Sequence, residues 1–482
     1  MISVPFALSS KPRILSPWRI RNDRVNIVLY RCLPGDITYK VLSPYEASIL
    51  PFFDGNNTMK EIYSSWIEIH RVEEEQKTGC INLLNNIIST LLKDKGIIGE
   101  EGERSPSFDR SASFVPDFGN YIYPAIRLQR PISVNLAITN RCRTNCRYCY
   151  AERRICPEMN PEKIKNLLDE LCRNEIFIVD ILGGDIFARE DALQILEEMV
   201  KRDFVFFLST KCHISEDMAG CLYNLGIGRA DFLPHLNRPL QISVDSTIPE
   251  TAAFLVQCPD YLDRAVSSVR NAVKAGLSPR IKSVLTAYNA DAPTGIVDLF
   301  YPLGITEFQF VQYGRSHYRH DESLFLSLEQ KLKLRDMAVL FRNKYPGISL
   351  TIQEDVTVGE PLKKEPERWN TRAVCSGGRV NMIVQPNGDV TLCDQIPHTV
   401  DYTVGNLLDQ GLQSVWNSSK LLNFLNAPRK LFKGSACYDC TDFETCHYEK
   451  GYCYRESLFH YGTVYEAPPD CPYQSRATIR QI

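Results

Sequence analysis

The sequence predicts an α/β protein whose centre is a partial six-strand β/α barrel. Strand-like and helical stretches alternate between residues 132 and 311, which favours parallel strands joined by crossover helices. A small unit of strands and helices precedes this region, and a segment rich in turns and cysteines follows it from about residue 370. In such barrels the chemistry lies at the carboxyl ends of the strands.

The composition is that of a globular protein without a strong electrostatic preference. The 482 residues are 44% hydrophobic and 23% charged, with a formal net charge of -3. This balance does not favour binding to nucleic acid or to an anionic membrane. There is no apolar run long enough to span a membrane and no signal peptide at the N-terminus. We therefore expect a cytoplasmic protein with neither nucleic acid nor membrane as a partner.

The predicted barrel occupies residues 126–325. A bridging helix is expected within 326–370, and the cysteine-rich domain within 371–482. Helical patterns lie at 161–173, 190–202, 261–275, 293–301 and 326–345. The barrel strands are expected at 132–138, 176–182, 203–208, 239–244, 280–286 and 306–311.

The N-terminal unit, residues 1–98, is expected to be a winged-helix-like α+β domain. A strand at 24–31 should pair with one at 38–42. A short helix follows over 44–53. Thr58 and Glu61 have the spacing of a capping box for a helix ending near Ile69, and an amphipathic helix covers about 74–92. Residues 99–125, rich in Ser, Pro and Gly, suit a linker.

Seventeen cysteines require an explanation in a chain without an export signal. In a reducing compartment, clustered cysteines more often bind metal than form disulfides. Ten of them fall into spaced groups. Most of the scattered remainder are expected to be small buried hydrophobes: Cys32, Cys80, Cys156, Cys172, Cys212, Cys221 and Cys258.

Three of the grouped cysteines follow the first barrel strand. Cys142, Cys146 and Cys149 have the spacing C-x3-C-x2-C. Three thiolates on a 4Fe–4S cluster leave one iron open, and an open iron can bind the amino and carboxylate groups of S-adenosylmethionine (SAM). The alternative is a zinc knuckle, but structural zinc sites take four ligands and the loop offers no fourth.

This loop resembles that of the radical SAM superfamily, including the aromatic Tyr148 before the third cysteine. The resemblance covers about residues 130–320 and implies radical chemistry initiated by SAM. Gly183-Gly184-Asp185 stands where the family usually has Gly-Gly-Glu to hold the SAM amino group. The resemblance further implies that Ser243 and Asp245, at the end of the fourth strand, contact the SAM ribose, and that Tyr148 belongs to the SAM site. It implies contacts more weakly for Thr286 and Asn289, at the end of the fifth strand, and for Arg315 after the sixth.

Seven cysteines follow from residue 375 onward, and three of them have the compact spacing Cys437-x2-Cys440-x5-Cys446, which is typical of a metal site. They resemble the cysteines of the SPASM domain, which carries two auxiliary 4Fe–4S clusters and would bring the total to three. The resemblance assigns Cys375, Cys393 and Cys453 to the first auxiliary cluster. It assigns to the second Cys437, Cys440, Cys446 and Cys471.

Two departures from the SPASM pattern matter. Six residues rather than three separate Cys446 from Cys453, and no second cysteine closely follows Cys375. The first auxiliary cluster would then have three cysteine ligands and an iron open to a substrate thiolate, because such clusters favour soft sulfur ligands. Structural zinc is the alternative for this region.

The N-terminal unit resembles the PqqD-like element that recognises ribosomally made peptides. The resemblance rests on Leu42-Ser43-Pro44-Tyr45-Glu46 and on Phe53-Asp54-Gly55 before the Thr58-capped helix. It implies that a leader peptide adds a strand to an exposed sheet edge. The alternative is a winged-helix unit that serves nucleic-acid binding or oligomerisation.

Together these features predict an oxidoreductase that matures a ribosomally synthesised peptide (a RiPP) through a 5'-deoxyadenosyl radical. The first choice of product is a thioether from a peptide cysteine to a carbon of another residue, as in sactipeptides and ranthipeptides. Alternatives are a carbon–carbon crosslink and an epimerase in which Cys212 donates hydrogen. A flavodoxin or ferredoxin would supply electrons. The non-enzymatic alternative is a zinc-stabilised peptide-binding adaptor.

Overall fold

The computed structural model describes residues 6–93, 96–100, 102, 119–123, 125–154, 156–231, 238–352, 369 and 372–473. The chain forms two compact units, one from the residues up to Ile132 and one from Ser133 onward. Most of the predicted linker at 99–125 lies outside the described residues, as do 353–368 of the predicted bridge. The domain boundaries drawn from the sequence stay predictions.

The first unit combines a three-stranded antiparallel sheet with three helices. The sheet has the order β2-β3-β4, and β1 pairs with β5. Short 3-10 helices cover Leu50–Phe52 and Glu74–Gln76. In chain order the elements are β1 (Arg13–Ile14), β2 (Trp18–Asn22), β3 (Ile27–Arg31), β4 (Tyr39–Val41), α1 (Pro44–Ile49), α2 (Met59–Ile69), α3 (Lys77–Lys93) and β5 (Ile98–Gly99).

Local capping explains where two of these helices begin. The Ser43 hydroxyl accepts from the Glu46 backbone amide, and Glu46 accepts from the Ser43 amide in return. Thr58 and Glu61 form the same reciprocal pair at the start of α2, as the sequence predicts. The predicted pairing of β3 with β4 is also confirmed, with Val28 opposite Val41.

Strand β2 is absent from the sequence prediction because it carries two arginines. Arg21 is completely buried, and its guanidinium donates to the carbonyls of Pro131 at 2.7 Å and Arg130 at 2.8 Å. It also pairs with the Asp23 carboxylate at 3.2 Å. Asp23 in turn accepts from the Gln129 amide at 2.7 Å. A buried ion pair therefore ties β2 to the end of the first unit.

The second unit begins with parallel strands alternating with helices. Further 3-10 helices cover Ile186–Ala188, Tyr301–Leu303 and Glu322–Leu324. In chain order the elements are β6 (Ser133–Thr139), α4 (Pro161–Arg173), β7 (Ile178–Gly183), α5 (Ala192–Lys201), β8 (Leu208–Thr210), α6 (Glu216–Asn224), β9 (Leu240–Ser243), α7 (Pro249–Val256), α8 (Tyr261–Lys274), β10 (Arg280–Leu285), α9 (Ala292–Phe300), β11 (Glu307–Gln312), α10 (Leu328–Lys344) and β12 (Ser349–Ile352).

All six predicted strands are present, and they pair in parallel within two series. β6 pairs with β7, and β8 to β11 form a continuous series extended by β12. Among the described residues, a single parallel bridge from Ile178 to Val205 connects the two series. The predicted strand at 203–208 is wrong in extent, since β8 runs from Leu208 to Thr210. Phe204 and Val205 are completely buried, which explains the apolar run that precedes β8.

The cysteine-rich segment adds a strand to the first series. β13 pairs in parallel with β6, and Asn381 donates to the Ser133 hydroxyl at 2.7 Å. A turn at residues 386–389 joins β13 to β14. A 3-10 helix covers Arg429–Phe432 and a π-helix covers Thr445–Lys450. The elements are β13 (Asn381–Val384), β14 (Asp389–Thr391), β15 (Thr403–Asn406), α11 (Leu407–Gln410), α12 (Leu412–Trp416), α13 (Ser419–Leu425) and α14 (Tyr454–Tyr461).

The scattered cysteines follow the expectation of burial only in part. Cys32 and Cys212 are buried, Cys221 is exposed, and the other four are half-buried. Cys221 is exposed because it lies on α6 away from Ala219 and Leu222, the residues that this helix buries. Among the described residues, no helix is long and apolar enough to cross a membrane.

The Arg21–Asp23 pair generates a test of the first unit. Asp23→Ala leaves the buried guanidinium without its carboxylate, so we expect a loss of about 3–5 kcal/mol in the stability of this unit. Hydrogen exchange of the β3 amides would measure the loss. Glu74→Ala is the matched control, because Glu74 is 84% exposed in its pair with Lys77 and such pairs contribute about 0–1 kcal/mol. Equal effects of the two substitutions would contradict the structural role of Asp23.

Candidate active site and cysteine groups

The three-cysteine loop follows the carboxyl end of β6, and its thiols lie near one another. Burial, together with the nearby Asp185, Cys149 and Cys146, raises the pKa of the Cys142 thiol to about 11, against the opposing effect of Arg153. The Arg153 guanidinium lies 3.9 Å from the Cys149 sulfur and donates to the Thr144 carbonyl at 2.8 Å. The sequence-predicted trio is therefore together in space, with a cation beside it.

Backbone hydrogen bonds hold this loop from two sides. The Arg319 guanidinium donates to the carbonyls of Asn145 and Cys146, both at 2.9 Å. The amides of Asn145 and Arg147 donate to the carbonyls of Val256 and Leu255, at the end of α7. Helix carboxyl ends have unsatisfied carbonyls that can accept in this way. The role of Arg319 is missed by sequence reasoning, since no motif marks it.

Gly183 and Gly184 allow the end of β7 to press against the same loop. Gly183 has a φ of +86°, and a Cβ there would lie 2.6 Å from the Thr139 carbonyl oxygen. A Cβ on Gly184 would lie 2.1 Å from the Arg141 carbonyl oxygen. The amide of Gly184 donates to the Thr139 carbonyl at 2.6 Å. Any side chain at these two positions would force the strands apart.

Asp185 uses both of its carboxylate oxygens to join β7 to β8. They accept from the Thr210 hydroxyl at 2.8 Å and from the amides of Lys211 at 2.7 Å and Cys212 at 3.1 Å. A further amide, that of Phe187, donates at 3.1 Å. The predicted contact of Asp185 with SAM stays a prediction, and the geometry gives this carboxylate a positioning role.

Cys212 lies beside this carboxylate with its thiol buried. Burial raises the pKa of Cys212 to about 12, and Asp185 and Cys142 contribute in the same direction. The thiol therefore stays protonated at neutral pH. It is near the three-cysteine loop, as the epimerase alternative requires.

A buried polar cluster of Tyr148, Lys211 and Asp245 lies next to the three-cysteine loop. The Asp245 carboxylate is 0% exposed and accepts from the Tyr148 hydroxyl, from Lys211 Nζ at 3.0 Å and from the Val284 amide at 3.0 Å. Burial alone would lower the pKa of Lys211, but Asp245 raises it above its ordinary value. Burial raises the pKa of Cys146, and the nearby Lys211 opposes this effect. The Tyr148 side chain is thus held by a hydrogen bond to the buried Asp245 carboxylate.

The remaining sequence-predicted residues of the barrel fall into two places. Asn289 donates to the Asp245 carbonyl at 2.6 Å and accepts from the Thr286 hydroxyl at 2.7 Å, which makes both of them supports of the Asp245 strand end. Ser243 is buried, and its carbonyl accepts from the Tyr261 hydroxyl. Arg315 instead lies 2.8 Å from His460 Nε2, on α14. The SAM contacts of Ser243, Asp245 and Arg315 stay predictions.

The first of the two C-terminal groups brings together Cys375, Cys393 and Cys453. Burial raises the pKa of Cys393 above its ordinary range, and the Asp394 carboxylate and the thiols of Cys375 and Cys453 add to the effect. The Cys375 amide donates to the Lys450 carbonyl at 2.8 Å, at the end of the π-helix. The three thiols lie together although they come from distant parts of the sequence.

The second group lines one cavity whose walls are largely aromatic. Burial raises the pKa of Cys437, and the other three thiols of the group raise it further. Trp369, Phe443 and Tyr452 form part of the wall. The thiols are those of Cys437, Cys440, Cys446 and Cys471.

Grouped thiols are the donor set that iron–sulfur clusters require. Within the described ranges, no three His, Cys, Asp or Glu side chains converge in the way that the ligands of a single metal ion do. A cluster of several irons binds each thiolate at a different iron, so its ligands need not converge on one point. The sulfur-only character and the spread of the three groups fit clusters of this kind.

Comparison with known protein families agrees with this donor set. Residues 136–290 match the family described as the radical SAM superfamily, and residues 375–441 match SPASM, an iron–sulfur cluster-binding domain. These domains imply SAM and iron–sulfur clusters as cofactors. The first match contains the three-cysteine loop, and the second contains Cys375, Cys393, Cys437 and Cys440.

Relatives with known names are similar over most of this chain. The mycofactocin maturase MftC of Mycolicibacterium smegmatis is 26% identical over 352 residues, which cover 71% of this chain and 83% of that protein. The PqqA peptide cyclase of Xanthomonas campestris pv. campestris is 26% identical over 294 residues, which cover 60% of this chain and 73% of that protein.

Solved structures of similar fold extend over nearly the whole chain. Streptococcus suis SuiB bound to its precursor peptide SuiA has a TM-score of 0.66 at 15% identity, covering 98% of this chain and 100% of that one. SuiB bound to S-adenosylmethionine has a TM-score of 0.62 at 17% identity, covering 95% and 99%. The two family matches identify a radical SAM domain at residues 136–290 and an iron–sulfur cluster-binding SPASM domain at residues 375–441, and the solved structures show a similar fold.

Proposed function

We propose that the protein is a radical SAM maturase that crosslinks a ribosomally made precursor peptide. The observation that carries the proposal is the grouping of the Cys142, Cys146 and Cys149 thiols at the carboxyl end of β6, beside the glycine pair at the end of β7. The proposal that the substrate is a peptide is supported by the relatives, because MftC is named a maturase and the second relative is named a peptide cyclase.

The residues divide into ligands and supports. Cys142, Cys146 and Cys149 would hold one 4Fe–4S cluster, and the two C-terminal groups would each hold another, so that the protein contains three. When bound, SAM and the reduced cluster supply a 5'-deoxyadenosyl radical that removes a hydrogen atom from the substrate. The strands β6 to β11 would curve into a partial barrel around this site.

SAM binding would depend on backbone as much as on side chains. Gly183 and Gly184 leave their peptide groups uncovered by a Cβ, and Asp185 fixes their orientation through the amides of Lys211 and Cys212. Tyr148, Ser243, Asp245 and Arg315 complete the proposed set of contacts. The hydrogen bond between Tyr148 and Asp245 would also fix the loop at the residue before Cys149.

Leader-peptide binding is proposed for the first unit. Among the described residues the sheet has the order β2-β3-β4, which places β4 (Tyr39–Val41) at one end of it. An extended peptide can add to such an edge through backbone hydrogen bonds, with selectivity from side-chain pockets. The PqqD-like interpretation of this unit rests on that edge and on the two capped helices that follow it.

A thioether is the product that the first C-terminal group favours. Cys375, Cys393 and Cys453 supply three thiols for a cluster with four irons, and a peptide cysteine could occupy the fourth iron. Joining that sulfur to a carbon removes one hydrogen from each. The radical takes the hydrogen from carbon, the proton leaves the thiol, and the remaining electron passes to the cluster. A flavodoxin or ferredoxin would supply the electron that initiates each cycle.

An epimerase is the second candidate, and the position of Cys212 favours it. The thiol is buried, protonated at neutral pH and next to the three-cysteine loop. A hydrogen atom returned from Cys212 to a substrate carbon radical would invert a residue without changing the mass of the peptide, and one electron from the flavodoxin or ferredoxin and one proton would restore the thiol.

Removal of the three loop cysteines tests the proposed radical cluster. Replacing Cys142, Cys146 and Cys149 by alanine should abolish reductive cleavage of SAM and lower bound iron by about a third, because one of three clusters is lost. Iron and sulfide analysis of anaerobically purified protein measures this. Cys221→Ala, at an exposed thiol, is the control and should change neither. Zinc in place of iron and sulfide in the unaltered protein would support the adaptor alternative instead.

The mass of the product separates the two candidate reactions. A precursor peptide co-expressed with the enzyme should become lighter by two hydrogens, and Cys212→Ala should leave that change in place. Alkylation of the product with and without reductant then distinguishes a thioether from a carbon–carbon bond. A product of unchanged mass, together with loss of turnover in Cys212→Ala, would show epimerisation and exclude the crosslink.

A further inference from the structure

Arg372 makes a direct contact with a sulfur of the second C-terminal group. Its Nη2 lies 3.1 Å from the Cys446 sulfur. The same guanidinium donates to the Trp369 carbonyl at 2.8 Å and to the Gly451 carbonyl at 3.0 Å, and it stacks 4.0 Å from the centre of the Trp369 ring. These contacts fix the guanidinium in one orientation, with an N–H directed at sulfur.

Arg372 forms no ion pair with a carboxylate in the part of the chain that the structure describes. It donates to the carbonyl oxygens of Trp369, Cys446 and Gly451 and to the Cys446 sulfur, and the Asp470 carboxyl is close enough to interact with its charge. Arg429 lies near the same group but differs in this respect. Its Nη2 pairs with both carboxylate oxygens of Glu444, at 2.8 and 2.9 Å, and its Nη1 donates to the carbonyls of Tyr438 at 3.3 Å and Cys440 at 2.7 Å.

We propose that Arg372 raises the reduction potential of the cluster held by Cys437, Cys440, Cys446 and Cys471. The inference rests on the proposed function, because it requires that a cluster occupies this group. Arg372 is a positioning residue in this role, since it acts on the cluster through the Cys446 thiolate.

Electrostatics gives the direction of the effect. Reduction adds one negative charge to the cluster and its thiolates. A cation that donates a hydrogen bond to a ligand sulfur stabilises the reduced form more than the oxidised form, and hydrogen bonds to sulfur are among the features that set cluster potentials. Phe443 and Tyr452 line the cavity, so solvent screens the interaction weakly.

The side chain at this position has to be arginine for geometric reasons. One planar guanidinium reaches three backbone carbonyls, stacks on the Trp369 ring and still directs an N–H at sulfur. A lysine ammonium carries the same charge but has neither the fork nor the stacking face. Arg372→Lys therefore separates the oriented hydrogen bond from the charge.

The test is an anaerobic redox titration of the reconstituted full-length protein, followed by electron paramagnetic resonance. It uses a background in which Cys142, Cys146 and Cys149 are alanine, so that only the two auxiliary signals remain. Arg372→Gln should move one of these signals to a lower midpoint potential and leave the other in place. Arg372→Lys should give a smaller shift in the same direction. Arg429→Gln is the matched control, and it should move neither midpoint as far as Arg372→Gln does, because Arg429 pairs with Glu444 and donates to carbonyl oxygens.

Each outcome decides one of the two proposals. Protein that binds no iron and sulfide at the C-terminal groups would remove the proposed function. Bound clusters with equal midpoints in Arg372→Gln and its parent would overturn the role of Arg372 and leave the function standing. A shift of equal size in Arg429→Gln would also overturn it, because a contact with sulfur would then be unnecessary. If Arg372→Gln does not retain the cluster, Arg372→Lys decides, and a midpoint equal to that of the parent contradicts the inference.

Discussion

Asp245 is a carboxylate with no access to solvent, and its charge dictates the arrangement around it. A buried anion is tolerated only when it is paired and fully hydrogen-bonded. Lys211 supplies the opposite charge, and the Tyr148 hydroxyl and the Val284 amide complete the set. Because Tyr148 directly precedes Cys149, satisfying this carboxylate also fixes the third thiol of the loop. The position of the third thiol thus depends on the ion pair between Lys211 and Asp245.

A second constraint places the cysteine-rich segment. β13 hydrogen-bonds to β6 through residues 381–384, and β6 is the strand that leads into the three-cysteine loop. Cys375 and Cys393 stand shortly before and after the hairpin that β13 begins. The strand pairing therefore positions the chain on both sides of β13, which carries Cys375 and Cys393. The same pairing joins this segment to the strand that leads into the three-cysteine loop.

The sequence predicts the elements better than their supports. Periodicity and capping residues are local signals, which explains why helices such as α4 and α2 begin and end close to the predicted residues. Cysteine spacing identifies the ligand candidates for a similar reason. Arg319, Lys211 and Arg372 act across long distances in the chain, and nothing near them in sequence marks their partners. The sequence does not predict β2, because arginine is normally a surface residue and the burial of Arg21 depends on its ion pair with Asp23.

The long spacing between Cys446 and Cys453 has a structural explanation in the π-helix. Residues 445–450 form a π-helix. Its turns are wider than those of an α-helix, so it holds more residues over the same axial length. Gly451 then adopts a φ of +73°, and a Cβ there would lie 2.9 Å from the Cys375 Cβ and 2.8 Å from an Arg379 nitrogen. The chain turns back at this glycine, so Cys453 reaches the group of Cys375 and Cys393 while Cys446 stays with the other. The same turn places the Gly451 carbonyl where Arg372 binds it. The segment between Cys446 and Cys453 is longer than usual, yet its π-helix and the turn at Gly451 leave each cysteine in its own group. The same segment supplies the Gly451 carbonyl that helps to orient Arg372 toward sulfur.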